Sequence, residues 1–345
     1  MQVSTIGLDL AKHVFQVHGV DREGNIVLRK RVRRGDVEGF FRGLPPCLIG
    51  MEACGTAHHC TRLIRSLGHE VRLLPPTYVK PYVKRGKTDA ADAEAICEAV
   101  TRPTMRQVPV KSAEQQAALM LHRVRDLLVR QRTMLLNAMR GHMAEFGIVV
   151  PQGSRRVGEL VALAVGENDA ALPALARQAL RELAAALAAL DGRIEQAEAA
   201  ILAWHKGSQA SRRLAAIPGI GPITASAIVA TVGDARQFES ARHFAAWLGL
   251  VPKQNSTGGK QRQGGISKQG DGYLRRLLVV GATAVIRFAR GPAGATPSAV
   301  WARALLERRP ARLVTVALAN KTARIAWAVL TREEVYRKAQ LPHGA

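Results

Sequence analysis

Acidic residues at the ends of predicted strands and on one predicted helix are the first candidates for chemistry in this sequence. Asp9 ends one short apolar run and Glu52 ends a second, while Asp89 and Asp92 stand three residues apart on a helix, hence on one face. Carboxylates that converge repel one another unless cations neutralise them, and two Mg²⁺ ions can hold the attacking and leaving oxygens of a phosphodiester. Each acid taken singly has an ordinary explanation as a strand-end or helix-start residue, so the prediction rests on the four together.

A polar, basic and glycine-rich loop, from Pro252 to Gly272, is the second candidate. It can hold a backbone phosphate, and a serine hydroxyl within it could attack phosphorus if nearby positive charge lowers its pKa. The alternative is a flexible basic loop with no chemistry. The side chains in and after this loop that we expect to contact nucleic acid are Lys253, Lys260, Arg262, Lys268, Arg275 and Arg276.

Two further features are candidate phosphate contacts. The run Ile217-Pro-Gly-Ile-Gly-Pro resembles a helix-hairpin-helix turn, in which Gly219 and Gly221 permit close approach and the next helix offers backbone N–H groups to a phosphate. The alternative is a tight turn between helices with no ligand. Lys87, two residues before Asp89, is either a phosphate contact or a solvated lysine.

The elements that must position the acids lie in residues 1–108, which we predict to form an α/β domain. Alternating apolar residues and turn signals predict an antiparallel meander followed by alternating helices and strands. The resulting order, β-β-β-α-β-α-β-α, is that of an RNase H-like fold. The predicted strands are Val3–Leu10, His13–Val20, Ile26–Arg33, Cys47–Ala53 and Glu70–Leu74, and the predicted helices are Asp36–Leu44, Thr56–Leu67 and Thr88–Arg102.

The rest of the chain is predicted to be helical. Residues 109–207 carry a heptad seam and an earlier long helix, Ser112–Phe146, which suggests an antiparallel helical or coiled-coil hairpin that pairs with itself or with another subunit. Residues 208–345 form a third, mainly helical domain interrupted by the basic loop. The seam residues are Leu180, Leu183, Leu187, Leu190, Ile194, Ala197, Ile201 and Trp204.

Composition points to a polyanionic partner. Lys and Arg number 50 against 27 Asp and Glu, a net charge of +23, and this charge is spread through apparently folded segments. The longest apolar stretch, Leu277–Ile286, is too short to span a bilayer, and we expect no membrane partner. The four cysteines have no paired spacing, which fits a reducing cytoplasm. We therefore expect a cytoplasmic, nucleoid-associated protein.

The motifs together resemble the DEDD transposases of the insertion-sequence family numbered one-ten, most closely its eleven-eleven branch, with the pilin-gene invertase as a related protein. The resemblance covers nearly the whole chain and has no departure at the acids or the serine. Its markers are Gly7-Leu-Asp-Leu-Ala-Lys, Met51-Glu-Ala-Cys-Gly, Lys87-Thr-Asp-Ala-Ala-Asp-Ala, Ile217-Pro-Gly-Ile-Gly-Pro, and the segment from Gly249-Leu-Val-Pro to Leu274-Arg.

The resemblance implies a mechanism. The N-terminal domain would be RuvC-like, with Asp9, Glu52, Asp89 and Asp92 as both the catalytic tetrad and the ligands of Mg²⁺, for which Mn²⁺ could substitute. The nucleophile would be Ser256, which forms a phosphoserine link to DNA; Ser267 is the weaker candidate. Donor and target DNA, a structured guide RNA encoded by the element, and a dimer or tetramer of the chain would be the partners.

Three rival functions start from the same residues. A Holliday-junction resolvase or other metal-dependent nuclease would use the acids with water as nucleophile, so a covalent protein–DNA adduct separates it from a transposase. An actin-like sugar kinase also begins with a strand ending in Gly-x-Asp, but the sequence has neither its second phosphate loop nor its adenosine motif. A non-catalytic scaffold would have no use for clustered carboxylates that repel each other and DNA.

Overall fold

The chain contains a mixed α/β region followed by a mostly helical region. The computed structural model describes residues 2–84, 86, 88–166, 172–289 and 296–336, and Lys87 therefore lies outside the described residues. The chain divides into two compact units, residues 1–114 and 115–345. The predicted division after residue 207 falls inside the second unit and stays a prediction.

The first unit is built on a five-stranded sheet with the order β3-β2-β1-β4-β5. β1, β2 and β3 form the predicted antiparallel meander, and β4 and β5 continue the sheet in parallel from β1. The Asp21 carboxylate closes the turn between β2 and β3, because its Oδ1 accepts the backbone N–H groups of Glu23 and Asn25. The strands are β1 Thr5–Leu10, β2 Val14–Val20, β3 Ile26–Arg33, β4 Leu48–Glu52 and β5 Glu70–Leu74.

Helices cover both faces of this sheet. On one face, Ile6, Leu8 and Met51 are buried in a core with side chains from α1 and α2. On the other face α4 packs against β1, β2 and β4. The helices are α1 Val37–Arg42, α2 Ala57–Ser66, α3 Pro76–Val79 and α4 Asp89–Val100, with short 3₁₀ turns at Arg34–Asp36 and Lys80–Tyr82.

The sheet and α4 approach each other very closely. Gly7 on β1 and Gly50 on β4 are register partners and face the helix. A Cβ on Gly7 would lie 2.0 Å from the backbone oxygen of Ala93, and a Cβ on Gly50 would lie 2.7 Å from the Cβ of Val100. Only glycine leaves room for the helix at these two positions, since a real Cβ does not come within 3.0 Å of another heavy atom.

Long helices open the second unit: α5 Ala113–Ala144, α6 Val157–Val165 and α7 Ala174–Gly207. Arg125 of α5 pairs with Glu198 of α7 at 2.6 Å, and Arg132 pairs with Asp191 at 2.5 Å. These pairs advance seven residues along α5 while they retreat seven along α7, so the two helices run antiparallel. Every seam residue of α7 is buried or half-buried within this chain.

The rest of the second unit packs around one apolar core. Its elements are α8 Gln209–Ala215, α9 Pro222–Val232, α10 Ala241–Trp247, β6 Pro252–Gln254, β7 Gln263–Ile266, α11 Gly272–Ala289, α12 Pro297–Leu306 and α13 Ala311–Arg332. This region is mostly helical, as predicted, and within the predicted interruption β6 and β7 pair as an antiparallel hairpin.

One described helix, α13, is long and apolar enough to cross a membrane by length and composition alone. Its buried residues, among them Val314, Leu318 and Ala326, belong to the core of the second unit. The core helix of a globular unit passes the same test of length and composition, so α13 is weak evidence for a membrane span.

A buried histidine joins three helices of the second unit. His122 of α5 is 2 % exposed; its Nδ1 lies 3.1 Å from the Tyr273 hydroxyl of α11, and its Nε2 lies 3.1 Å from Ser226 Oγ of α9. The Ser226 hydroxyl donates its single proton to the backbone oxygen of Pro222, which lies 2.7 Å from Oγ. We assign neutral His122, with Nε2–H donating to Ser226 and Nδ1 accepting from Tyr273.

We expect Gly7→Ala to destabilise the first unit by about 3 kcal/mol or more, because the new methyl group meets backbone atoms that no side-chain rotation can move. The melting temperature of the full chain measures the loss. Gly39→Ala is the matched control, since nothing lies within 4 Å of its Cβ and alanine favours helix α1. Equal melting temperatures for the two variants would contradict the close contact.

We expect the stability of the second unit to fall as the pH drops from about 6.5 to 4. Burial, aided by the charge of Arg125, lowers the pKa of His122 to about 4. As the pH falls, His122 is therefore protonated in the unfolded chain before it is protonated in the folded chain. The stabilisation from neutral His122 is complete above pH 6.5, and the free energy of unfolding falls by up to about 3 kcal/mol as the pH drops through this window. Denaturant unfolding across this range tests the effect, and His122→Asn should give a flatter profile than the unmodified chain. A profile equally steep in both proteins would contradict it.

Candidate active site

The sheet brings two of the predicted acids to one edge of the first unit. Asp9 lies two residues after Gly7 on β1, and Glu52 lies two residues after Gly50 on β4. Because successive side chains of a strand alternate between its faces, both acids lie on the face that α4 covers. The parallel register pairs Leu8 with Met51, so Asp9 and Glu52 follow at adjacent positions.

The first turn of α4 supplies the other two acids. Thr88 caps this helix, with its hydroxyl accepting the backbone N–H of Ala91, and Asp89 and Asp92 follow in the first turn. Negative charge is favourable there because the helix dipole is positive at its N-terminus. Asp92 immediately precedes Ala93, whose backbone oxygen faces Gly7, so the close contact between helix and sheet brings Asp92 to the Asp9 edge.

Electrostatic coupling identifies which of the acids converge. Burial raises the pKa of Glu52, and the negative charges of Asp9 and Asp92 raise it further. Asp89 is exposed at the start of α4. Within the described part of the chain, no three His, Cys, Asp or Glu side chains lie close enough to form a metal-binding group. The structure therefore brings three of the four predicted acids into one electrostatic cluster without a formed coordination shell.

The turn beside Asp9 is held by an arginine that sequence reasoning missed. Arg34 donates from Nε to the backbone oxygen of Lys12 at 2.8 Å and from Nη2 to that of Ala11 at 2.9 Å. Its guanidinium also lies 4.8 Å from the centre of the Phe15 ring. These contacts fix the β1–β2 turn that directly follows the first acid of the cluster.

The candidate nucleophile Ser256 lies near the tip of the β6–β7 hairpin in the second unit. Its neighbour Thr257 forms reciprocal backbone hydrogen bonds with Lys260, at 3.0 and 3.3 Å. Gly258 and Gly259 between them have φ of 55° and 76°, as a type I′ turn requires. Ser256 is exposed, and the Gln254 side-chain amide donates to its Oγ at 3.3 Å.

Backbone contacts that require glycine hold the base of this hairpin. Gly249 and Gly270 have φ of 73° and 80°, and a Cβ on Gly270 would lie 1.9 Å from the backbone oxygen of Trp247. Arg275 of α11 donates from Nη1 to the backbone oxygens of Leu248 and Gln269, both at 3.0 Å. Ser267 lies at this base rather than at the tip, and its backbone N–H donates to Val251.

The predicted nucleic-acid contacts of the second unit fall into two groups. Lys253, Lys260, Arg262 and Lys268 are exposed. The guanidinium of Arg275 is committed to the hairpin base. Arg276 forms an ion pair with Asp126 and lies 5.6 Å from the Tyr273 ring centre.

The predicted helix-hairpin-helix glycines lie between α8 and α9. Gly219 has φ of 87°, and its backbone oxygen would lie 1.8 Å from a Cβ on Gly281 of α11. Gly221 precedes α9 as its N-cap and is exposed. Gly219 is therefore required by packing within the unit, whereas Gly221 is open to a ligand.

An apolar groove of 1060 Å³ adjoins the serine hairpin in the second unit. Pro252 and Ile266 of the hairpin form part of its wall, and Arg312 and Arg324 of α13 bring positive charge to it. Lys321 Nζ, also in the lining, lies 4.5 Å from the centre of the Trp301 ring.

Two family sequence profiles match the chain. A DEDD-type profile described as "Transposase" matches residues 6–148, which include the four acids. A second profile, described as "Transposase IS116/IS110/IS902 family", matches residues 211–296, which include the α8–α9 turn and the serine hairpin.

Individual relatives extend this similarity to the full length. A Pseudomonas aeruginosa protein named "Probable family 20 transposase" is 55% identical over 338 residues, 98% of this chain and 99% of its own. The "Transposase for insertion sequence element IS1111A" of Coxiella burnetii is 39% identical over 97% of this chain and 92% of its own. The "Pilin gene-inverting protein" of Moraxella bovis is 29% identical over 126 residues, 36% of this chain and 38% of its own.

We expect Gly270→Ala to disorder the hairpin base, because the added methyl group meets the Trp247 backbone oxygen and the positive φ strains any other residue. Limited proteolysis should cut between residues 252 and 266 faster in this variant. Gly265→Ala is the control within the same hairpin, since nothing lies within 4 Å of its Cβ. Identical cleavage rates in both variants would rule out a glycine-dependent base.

Proposed function

Because the chain belongs to the IS116/IS110/IS902 family, it is an insertion-sequence transposase that cuts and rejoins DNA, and we propose that it does so through a covalent link at Ser256. The predicted resemblance to this family, its eleven-eleven branch and the pilin-inverting proteins is confirmed.

The observation that carries the proposal is the placement of Ser256. It stands exposed near the tip of a hairpin whose base is held by glycine contacts and Arg275. The amide of Gln254 donates to its Oγ, which leaves the serine proton free to point away from the hairpin. Exposed Lys253, Lys260 and Arg262 on the same hairpin can bind the phosphates that flank the attacked one.

The carboxylates Asp9, Glu52, Asp89 and Asp92 would hold a divalent cation. All the donors are carboxylate oxygens, the set that Mg²⁺ prefers, and Mn²⁺ can take the same ligands. The charges of Asp9 and Asp92 already repel that of Glu52, and a bound cation would offset this repulsion. When bound, the cation neutralises charge that develops on the phosphate oxygens.

The chemical step is a transesterification at phosphorus. A bond forms between Ser256 Oγ and phosphorus, the bond from phosphorus to one deoxyribose oxygen breaks, and the serine proton is transferred to that oxygen. Rejoining is the reverse reaction with a deoxyribose hydroxyl of another strand. No net hydrolysis occurs, because the phosphoserine link conserves the energy of the phosphodiester.

Nucleic acid would be bound by further residues. The α8–α9 turn with Gly219 and Gly221 would act as a helix-hairpin-helix element, with Gly221 at the open N-terminus of α9. Lys87 and Lys268 stay candidate contacts, and Arg275 and Arg276 would reach a phosphate only with guanidinium N–H groups other than those that hold the hairpin base and Asp126. A structured guide RNA would pair with donor and target DNA while the protein, at net charge +23, binds backbone.

The active form would be an oligomer that works at the bacterial nucleoid in the cytoplasm. The seam of α7 is covered within this chain, so a partner needs another surface. Met120, Val124, Leu127 and Met134 of α5 are exposed, by 64%, 44%, 48% and 69%, at spacings of four, three and seven residues. This spacing is typical of a coiled-coil interface, and it supports a dimer or a tetramer built through α5.

We expect a protein–DNA adduct that resists denaturation when the full chain is incubated with Mg²⁺, DNA carrying the ends of its element, and the flanking transcript. Ser256→Ala should lower the adduct by at least about 10³-fold, because the nucleophile is removed. Asp9→Ala should lower it as well, because the carboxylate cluster is broken.

Ser267→Ala is the matched control and should form the adduct at the unmodified level, since Ser267 lies at the hairpin base. Cleavage without an adduct, unchanged by Ser256→Ala, would overturn the proposal. That result would instead identify a metal-dependent nuclease that uses water.

A further inference from the structure

Arginines line one face of the edge strand β3 in the first unit. Arg29, Arg31 and Arg33 alternate along the strand and are exposed. Alternation places the three on the same face of the sheet. Within the described residues, Arg31 and Arg33 have no acidic partner at ion-pair distance, whereas Arg29 Nη2 lies 4.0 Å from Glu94 Oε2.

The face they occupy is the one that carries the acids. Arg29 approaches Glu94, a residue of α4, so these arginines project on the α4 side of the sheet. Val32 is buried in the core with α1 and α2, and Lys30 Nζ lies 5.3 Å from the Phe40 ring centre, so the intervening residues project on the opposite side.

The strand register fixes how far the arginines lie from the acids. Asp9 pairs with Gln16 across β1 and β2, and Gln16 pairs with Arg31 across β2 and β3. Two strand spacings of about 4.8 Å place the backbone of Arg31 roughly 10 Å from that of Asp9. Arg33 pairs with Val14 and so lies farther out, beyond the end of β1.

This distance suits a nucleic-acid backbone. One strand of a duplex carries a phosphate about every 3.4 Å along the helix axis, so roughly 10 Å corresponds to about three phosphates. Guanidinium groups bind phosphate oxygens through paired hydrogen bonds. Arg29 lies near Glu94, and Arg34, which follows the row, donates to backbone oxygens of the β1–β2 turn. Arg31 and Arg33 are therefore the cations of the row that are available to a ligand.

We propose that Arg31 and Arg33 bind backbone phosphates of the DNA strand that is cut, a few nucleotides from the phosphate that a cation bound by Asp9, Glu52 and Asp92 would hold. The inference rests on the proposed function for the position of the reacting phosphate. The row of arginines then sets the direction in which the strand leaves the acidic cluster across Gln16. Positive charge beside the carboxylates also offsets their repulsion of the DNA backbone.

The salt dependence of DNA binding tests the contact without requiring catalysis. The full chain, carrying Ser256→Ala to prevent reaction, is titrated onto a fluorescently labelled 30-base-pair duplex at several salt concentrations. Each lost phosphate contact should reduce the slope of log K against log salt by about 0.9, hence by about 1.8 for Arg31→Gln/Arg33→Gln.

Lys30→Gln is the matched control, because it removes one charge from the opposite face of the same strand, and it should leave the slope unchanged. Melting temperatures should be equal in all variants, since the altered side chains are exposed. A double variant with the slope of the Lys30→Gln protein would overturn the proposal.

Iron-directed strand scission tests whether the bound strand passes the acids. Fe²⁺ with ascorbate and peroxide should cut DNA near the acidic cluster of the unmodified chain, and Asp9→Ala should abolish this cutting. At saturating protein, Arg31→Gln/Arg33→Gln should shift or weaken the cuts. A reduced slope with unaltered cuts would overturn the path proposed here. Absence of cuts in the unmodified chain would count against the metal site alone, and the slope would still decide whether the arginines bind phosphate.

Discussion

The contact between α4 and the paired glycines Gly7 and Gly50 is the constraint on which the acidic cluster depends. Asp9 and Glu52 follow these glycines on their strands, and Asp92 precedes the Ala93 backbone oxygen that faces Gly7. A side chain in either glycine position would push the helix away by the width of a methyl group or more. The coupling of Glu52 to Asp9 and Asp92 exists because no side chain separates the helix from the sheet.

Much of the first unit could be predicted from the sequence, because apolar residues alternate along its strands and turn signals mark the ends of its elements. The meander, the later strands and the start of α4 all lie close to their predicted positions. The convergence of Asp9, Glu52 and Asp92 followed from that order of elements. The exposed position of Asp89 did not, since two residues three apart on one helix face are still separated by about 4.5 Å along the helix axis.

The hairpin and the roles of individual arginines could not be predicted in the same way. β6 and β7 are short and almost entirely exposed, so they have no apolar alternation, and the segment has two Gly-Gly pairs, of which Gly258 and Gly259 form the turn while Gly264 and Gly265 lie in β7. Arg34 and Arg275 use their guanidinium groups on backbone oxygens, whereas Arg31 projects into solvent. The sequence does not distinguish these arginines, because only the folded structure determines which of them donate to backbone oxygens and which face solvent.

The contact between Gly219 and Gly281 has a consequence for how related sequences are read. The backbone at each position leaves no room for a side chain at the other, so both positions require glycine. Over evolutionary time both would stay fixed for packing, even in a descendant that had lost its affinity for DNA. Invariance at Gly219 therefore carries little information about ligand binding, whereas variation at the exposed Gly221 would report directly on whether selection still acts on the turn as a nucleic-acid contact.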